Sequence, residues 1–189
     1  TSVPIRVEVT GQVAPIFQAT LSSRIQGTID KLLVREGSRV SKGQLLIQLD
    51  SRDLQADLAR AHAEVENAKA HLDRMNQRYA QDAVSKQELE NETRAYRVAE
   101  ANRRAVEAQL SYTMVRAPFE GVITEKKVEA GELASPGQPL LKMEDPQRLR
   151  LEATVAEGDL KSVSRGDKIP VAIDALGGQA LAGLVSQIL

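Results

Sequence analysis

The feature that most constrains this chain is a repeat offset by 94 residues, whose two copies flank a long segment without glycine or proline. Gly27-Thr-Ile-Asp-Lys-Leu-Leu-Val34-Arg-Glu-Gly37 aligns with Gly121-Val-Ile-Thr-Glu-Lys-Lys-Val128-Glu-Ala-Gly131. The register continues without a gap: Gly43-Gln44 falls on Gly137-Gln138, Leu46-Ile47 on Leu140-Leu141, and Leu49-Asp50 on Met143-Glu144. Each copy reads as short β runs punctuated by glycine, so Gly27, Gly37, Gly43, Gly121, Gly131 and Gly137 are assigned to structural turns. One copy buries too little apolar surface to close a core, whereas two copies facing each other can. Residues 27–50 and 121–144 are therefore expected to be two-fold-related halves of one β domain, sharing Ile29, Val34, Ile123 and Val128 in a single core.

Between the copies, Ser51 to Thr113 is dominated by Ala, Glu, Gln, Arg and Leu, a helix composition. Leu54, Leu58, Ala61, Val65, Ala68, Leu72, Met75 and Tyr79 are spaced alternately four and three apart, which predicts a coiled-coil seam. Leu89, Glu92, Tyr96, Ala99, Arg103, Val106, Leu110 and Thr113 repeat the spacing, with Glu92 and Arg103 as polar interruptions. A helix-start signal separates the two series: Ser85 as cap, Glu88 to complete a capping box, and Val84 to staple onto Leu89. Two helices of roughly 30 residues reach about 45 Å each, and a tight connection makes them antiparallel. The repeat copies must then meet at the hairpin base, which brings Asp50 and the region of Arg116 together.

The ends of the chain add more β pattern. Val3, Ile5, Val7 and Val9 alternate within a strand expected over residues 1–13; Leu149 to Val155, Ile169 to Ile173 and Leu181 to Leu189 read as further strands, with one or two helical turns over Glu157 to Val163. A small barrel-like domain assembled from both termini is expected. The strand holding Val3 to Val9 should lie beside Leu149 to Val155 or Ile169 to Ile173.

Chemistry-bearing residues do not converge. The chain has no Cys, which removes disulfides, thiolate metal clusters and cysteine nucleophiles. His62 and His71 are nine residues apart, outside chelating reach on a helix, and Met75, Met114 and Met143 are dispersed. The glycine turns lack the Lys-Ser/Thr ending of a phosphate loop. Asn91-Glu92-Thr93 forms a glycosylation triplet only by coincidence inside a helix, and Arg116-Ala-Pro118 ends the helical segment and leads Phe119 into the core. Aromatic content of 3% argues for small cores, and a net charge of -1 with interspersed helix charges excludes a nucleic-acid surface. No catalytic residue, cofactor site or metal site is assigned. No apolar run approaches 18 residues and no basic-plus-apolar leader precedes Thr1, so a spanning protein or unprocessed precursor is not expected.

Taken in order, Gly27 through Asp50, the Ala83-Val84-Ser85-Lys86-Gln87 segment, and Arg116-Ala-Pro-Phe-Glu-Gly121-Val-Ile with Gly131 resemble the membrane fusion proteins of tripartite efflux pumps. The resistance-nodulation-division type stands ahead of the ABC type. The resemblance implies a mainly β, elongated multidomain protein with a long α-helical antiparallel coiled-coil hairpin, in which residues 19–50 and 114–145 form a lipoyl-like barrel-sandwich hybrid domain. Residues 51–113 are then the hairpin, with its tip about residues 80–86, and residues 1–18 and 146–189 a partial β-barrel. A true carrier domain attaches its cofactor to a lysine between the half-motifs; here the hairpin fills that place and Lys142 lies inside the second copy, so no cofactor is implied.

The family implies a periplasmic adaptor, anchored to the inner membrane by a segment absent from this chain, that links an inner-membrane transporter to an outer-membrane channel and helps seal the conduit. It also implies a homo-oligomeric ring or funnel, with six subunits one candidate count. Its channel-contacting Arg, Leu and Ser match Arg74 and Ser85, with Arg78 standing in the leucine position. The alternative is a stand-alone self-associating scaffold or ligand-binding protein that uses the hairpin for assembly.

Overall fold

The computed structural model describes residues 8–156, 158, 163–173 and 180–188. The chain divides into two compact units, one spanning residues 15–148 and the other drawn from residues 1–14 and 149–189.

The larger unit contains eight strands and two helices. In chain order these are β2 (Gln18–Ser22), β3 (Gly27–Leu32), β4 (Arg39–Val40), β5 (Leu45–Leu49), α1 (Arg52–Tyr79), α2 (Lys86–Ser111), β6 (Met114–Arg116), β7 (Gly121–Lys126), β8 (Leu133–Ala134) and β9 (Pro139–Glu144). The strands form two four-stranded sheets, ordered β2-β9-β7-β4 and β6-β5-β3-β8. Each sheet therefore mixes the two repeat copies, with a central pair from one copy flanked by a strand of the other and by the strand that precedes that other copy, β2 in the first sheet and β6 in the second. The mixing follows the 94-residue offset bond by bond. Gly37 N–H donates to Ile123 O at 2.8 Å and Gly131 N–H to Ile29 O at 2.8 Å; Gly43 N–H donates to Ala117 O at 2.7 Å and Gly137 N–H to Ser23 O at 2.9 Å. The pairing of Arg39 with Val122 and Val40 with Gly121 has its counterpart in Thr28 with Leu133 and Gly27 with Ala134. Even the register shift recurs, between Ile29 and Lys31 in one copy and Ile123 and Glu125 in the other. Exchanging the copies maps each bond onto its mate, which is a two-fold relation.

Burial obeys the same rule. Ile29 and Ile123, Val34 and Val128, Val40 and Ala134, Leu46 and Leu140, Ile47 and Leu141, and Leu49 and Met143 are all buried in one cluster, with Phe119 packed against it. Neither copy owns a core, so neither is expected to persist alone. The turn assignment holds at Gly37, Gly43, Gly131 and Gly137, whose φ values lie between 81° and 91°. It is corrected at Gly27 and Gly121, which begin strands β3 and β7 and lack positive φ. Gly121 is needed for space: a Cβ there would stand 2.4 Å from the carbonyl oxygen of Glu144, whereas one on Gly27 would meet Leu49 at 3.6 Å.

The helices join this domain at a tightly bonded seat. Leu49 N–H donates to Thr113 O and Asp50 N–H to Thr28 O, both at 2.8 Å. Arg24 stacks over the Tyr112 ring at 5.3 Å, and Arg52 clasps the Asp50 carboxylate with Nη2 at 2.6 Å. The predicted meeting of Asp50 and the Arg116 region appears as adjacent strands, β5 beside β6, with Arg116 Nη1 also donating to Gly43 O at 3.0 Å.

The smaller unit holds β1 (Gly11–Pro15) paired with β10 (Leu149–Ala153), and β11 (Lys168–Ala172) antiparallel to β12 (Ala180–Leu184). A strand near the N-terminus does pair with one after residue 148, but it is Gly11–Pro15. Of the expected strand holding Val3 to Val9, residues 3–7 lie outside the described residues and residues 8–9 are not in a strand; most of the helical turn expected over Glu157 to Val163 also lies outside them.

Candidate docking site at the hairpin tip

The hairpin is built from its seam outward. Along α1 the residues drawn out of solvent are those of the four-three series: Ala61 is buried, and Leu54, Leu58, Val65, Ala68, Leu72 and Met75 are half-buried, joined off the series only by Asp57. Tyr79, at the end of the series, is exposed, since no further turn of a partner helix covers it. On α2, Leu89, Tyr96, Ala99, Val106 and Leu110 are half-buried, and so are the two polar interruptions, Glu92 and Arg103. Arg103 is accommodated by donating to Glu107 at 2.8 Å, one turn on, while its aliphatic stem fills the seam. Asn102 bridges the helices by donating to Glu64 at 3.4 Å. The remaining ion pairs, Arg60 with Asp57, Lys86 with Glu90 and Arg104 with Glu100, lie on exposed flanks and contribute little each.

At the tip, two end motifs meet with only Val84 between them. Helix α1 closes as a Schellman turn: Ala83 N–H donates to Arg78 O and Asp82 N–H to Tyr79 O, both at 3.0 Å, with Asp82 in the left-handed position at φ 53°. Helix α2 opens with the capping box that its sequence predicts. Ser85 Oγ accepts the Glu88 amide at 3.3 Å, and the Ser85 amide donates to Glu88 Oε2 at 2.8 Å. Hydrogen bonds from the Ser85 amide and hydroxyl hold the Glu88 carboxyl below the usual glutamate range.

Arg74 and Arg78 stand one turn apart near the end of α1, both exposed, and neither makes an ion pair among the described residues. Ser85 lies across the reversal at the start of α2. Among the described residues no hydrogen bond links its hydroxyl to either arginine, and both bonds of that hydroxyl go to Glu88. The structure thus places all three at one end of the hairpin without joining them to one another. Asp82 was missed by the sequence reading, because no glycine marks the left-handed position.

The other chemistry-bearing residues stay apart. His62 and His71 are exposed on α1. Met75 sits in the seam, Met114 is exposed on an edge strand and Met143 is buried. Among the described residues no group of three or more His, Cys, Asp or Glu side chains could hold a metal ion. Lys142 lies within β9 between Glu144 at 3.3 Å and Glu125 at 3.4 Å, and these carboxylates raise its pKa, Glu144 foremost. Such a lysine is a ladder residue of a sheet, not one presented on a turn. No helix among the described residues is long and apolar enough to cross a membrane.

Two half-motifs that exchange strands into one sandwich, with a helical hairpin inserted between them, define the barrel-sandwich hybrid class of hairpin-bearing domains. A family model for the barrel-sandwich hybrid domain of RND membrane fusion proteins matches residues 17–143, and the chain belongs to that family. It is 34% identical over 131 residues to the antibiotic efflux pump periplasmic linker protein ArpA of Pseudomonas putida, covering 69% of this chain and 35% of that protein. It is 29% identical over 183 residues to the multidrug resistance protein MdtA of Pectobacterium carotovorum, covering 88% of this chain and 44% of that protein. The chain thus spans less than half the length of these relatives. Among solved structures, a MacA-MexA chimera carrying the Pseudomonas aeruginosa MexA α-hairpin domain superposes with a TM-score of 0.86 at 25% identity, over 94% of this chain and 65% of the chimera.

Proposed function

We propose that this protein is a periplasmic adaptor that links an inner-membrane efflux transporter to an outer-membrane channel and helps seal the passage between them. The observation that carries the reading is the family match across residues 17–143, which takes in both β halves and the whole hairpin in one ordered series. Its similarity to an antibiotic efflux pump periplasmic linker protein and to a multidrug resistance protein supports it. In this reading residues 19–50 and 114–145 are the lipoyl-like domain and residues 51–113 the hairpin, while residues 1–18 and 146–189 contribute to a β-barrel. The hairpin tip, with Arg74, Arg78 and Ser85, is the end offered to the channel. Homo-oligomerisation into a ring supplies the seal, and an inner-membrane anchor keeps the protein at its transporter.

The test is co-purification of the full-length, membrane-anchored protein from its native host after mild cross-linking. Recovery of both an inner-membrane transporter and an outer-membrane channel with the adaptor is the expected result. Recovery of the adaptor with itself alone would favour the self-associating scaffold.

A further inference from the structure

Every polar group that Ser85 could offer a partner from its amide and side chain is already engaged. The hydroxyl donates to Glu88 Oε2 at 2.8 Å and accepts from the Glu88 amide at 3.3 Å, while the Ser85 amide donates to that same carboxylate oxygen at 2.8 Å. Donation from this hydroxyl or this amide to a partner would have to break a reciprocal, charge-assisted pair before it gained anything, which leaves only the second lone pair of Oγ for direct contact. The other end of the reversal is equally committed. Arg78 O accepts from Ala83 at 3.0 Å and Gln81 at 3.1 Å, so the loop that follows Arg78 hangs from the backbone of that residue. One residue, Val84, joins the two motifs, so movement at the start of α2 is transmitted to the end of α1.

We propose, on the footing of the docking role given above, that Ser85 and Glu88 are positioning residues: they act on docking by pinning the start of α2, and thereby the reversal that presents Arg78, without touching the partner. Without the pin the first turn of α2 frays and the loop samples other conformations. Apparent affinity then falls by the fraction of time the docking conformation is lost. The Glu88 carboxyl, held below the ordinary glutamate range by Ser85, stays charged at neutral pH and keeps the pin closed there.

The deciding variant is Glu88→Ala, which removes the carboxylate half of the box and leaves the Ser85 amide and hydroxyl proton without their acceptor, while the amide of residue 88 can still donate to Ser85 Oγ. The full-length anchored protein carries a photo-cross-linking amino acid at Gln81 in its native host, and the yield of an outer-membrane polypeptide cross-linked to it is read. Hydrogen exchange at the amides of Ser85 and Glu88 in the purified chain reports the cap, and far-ultraviolet dichroism shows that the seam keeps the helices. Glu88→Ala and Ser85→Ala should each lower the cross-link about five-fold and speed exchange. Glu88→Gln and Ser85→Asn, which keep a donor and an acceptor at each side of the box, should restore both readouts. Full cross-linking in Glu88→Ala, with loss in Ser85→Ala and Ser85→Asn alike, would make the hydroxyl itself the contact and overturn the proposal. So would unchanged exchange at the Ser85 amide in Glu88→Ala. Absence of any outer-membrane product from the unsubstituted protein would instead sink the docking role itself, a failure visible before any variant is compared.

Discussion

The amide of Gly131 donates to the carbonyl of Ile29 at 2.8 Å, and the amide of Gly37 returns the bond to Ile123 at the same distance. Each glycine turns its own copy of the repeat while bonding a strand of the other, so a local conformational need and the long-range closure of the domain fall on one residue. Gly37 and Gly131 have φ values of 81° and 91° and no atom within 4 Å of an added Cβ, so alanine there is penalised by the backbone alone.

Gly27, Gly37, Gly121 and Gly131 should therefore separate by mechanism when replaced by alanine. Gly37→Ala and Gly131→Ala are expected to cost about 1–2 kcal/mol each. Gly121→Ala should cost more, on the order of 2–3 kcal/mol, because its Cβ meets the Glu144 backbone and the β7–β9 pairing must shift. Gly27→Ala should stay below about 1 kcal/mol. Urea unfolding midpoints read the order directly, and equal losses at Gly27 and Gly121 would contradict it.

Asp50 gives the hairpin seat a pH dependence. Hydrogen bonds from the Arg52 guanidinium, then from the Arg52 amide, hold its carboxyl at about 2, below the ordinary value of 3.8. The folded pKa is depressed, so the contribution to stability is present above the ordinary aspartate pKa and is lost as pH falls from about 4 toward about 2. The stability difference between the unsubstituted chain and Asp50→Asn should accordingly be largest near neutrality and shrink across that window. Unfolding curves at about pH 7, about pH 4 and about pH 2 check the sign. A difference that grows on acidification would remove Asp50 from the seat.

Asp82 occupies a left-handed position that favours glycine or asparagine. Asp82→Gly and Asp82→Asn should keep the reversal, while Asp82→Val should cost about 1–2 kcal/mol and expose the Ala83 amide to exchange. Equal protection of that amide in all three variants would show that the Schellman turn does not hold the tip.

Much of this fold is legible in the sequence because its signals are periodic or local. The four-three spacing from Leu54 to Met75 names the side chains that leave solvent, and Ser85 with Glu88 marks the start of α2 within three residues. The 94-residue offset pairs Ile29 with Ile123 and Val34 with Val128 in one core. What stays hidden is relational. A repeat does not say whether β4 pairs with its own copy or the other, since a two-residue strand carries no alternation to choose by. Gly27 and Gly121 look like turn residues because glycine serves both turns and close approach, and only the Glu144 carbonyl facing Gly121 separates the two. Asp82 hides for the opposite reason, as a left-handed residue without the usual glycine. Arg24 over Tyr112 joins residues far apart in sequence, with no pattern to announce it.

Arg74 and Arg78 are four residues apart on the final turns of α1, make no ion pair among the described residues, and lie outside the buried seam. Their guanidinium groups can form paired hydrogen bonds with carboxylates or carbonyls of a partner. Because a solvated helix position tolerates substitution within about 0.5 kcal/mol, Arg74→Asp and Arg78→Asp should leave helicity and unfolding midpoint nearly unchanged. Docking should respond differently. Charge reversal at a contact replaces attraction by repulsion, and recovery of the outer-membrane partner with the full-length protein should fall at least ten-fold for either variant, about 1.4 kcal/mol or more. Arg97→Asp, on the exposed flank of α2 away from the tip, supplies the control and should recover the partner normally. The control also guards against a general effect of net charge, since all three variants change it equally. Normal recovery in both Arg74→Asp and Arg78→Asp would return these residues to the solvated surface of the hairpin and move the docking site elsewhere, whereas loss in all three would point to long-range electrostatic steering in place of a tip contact.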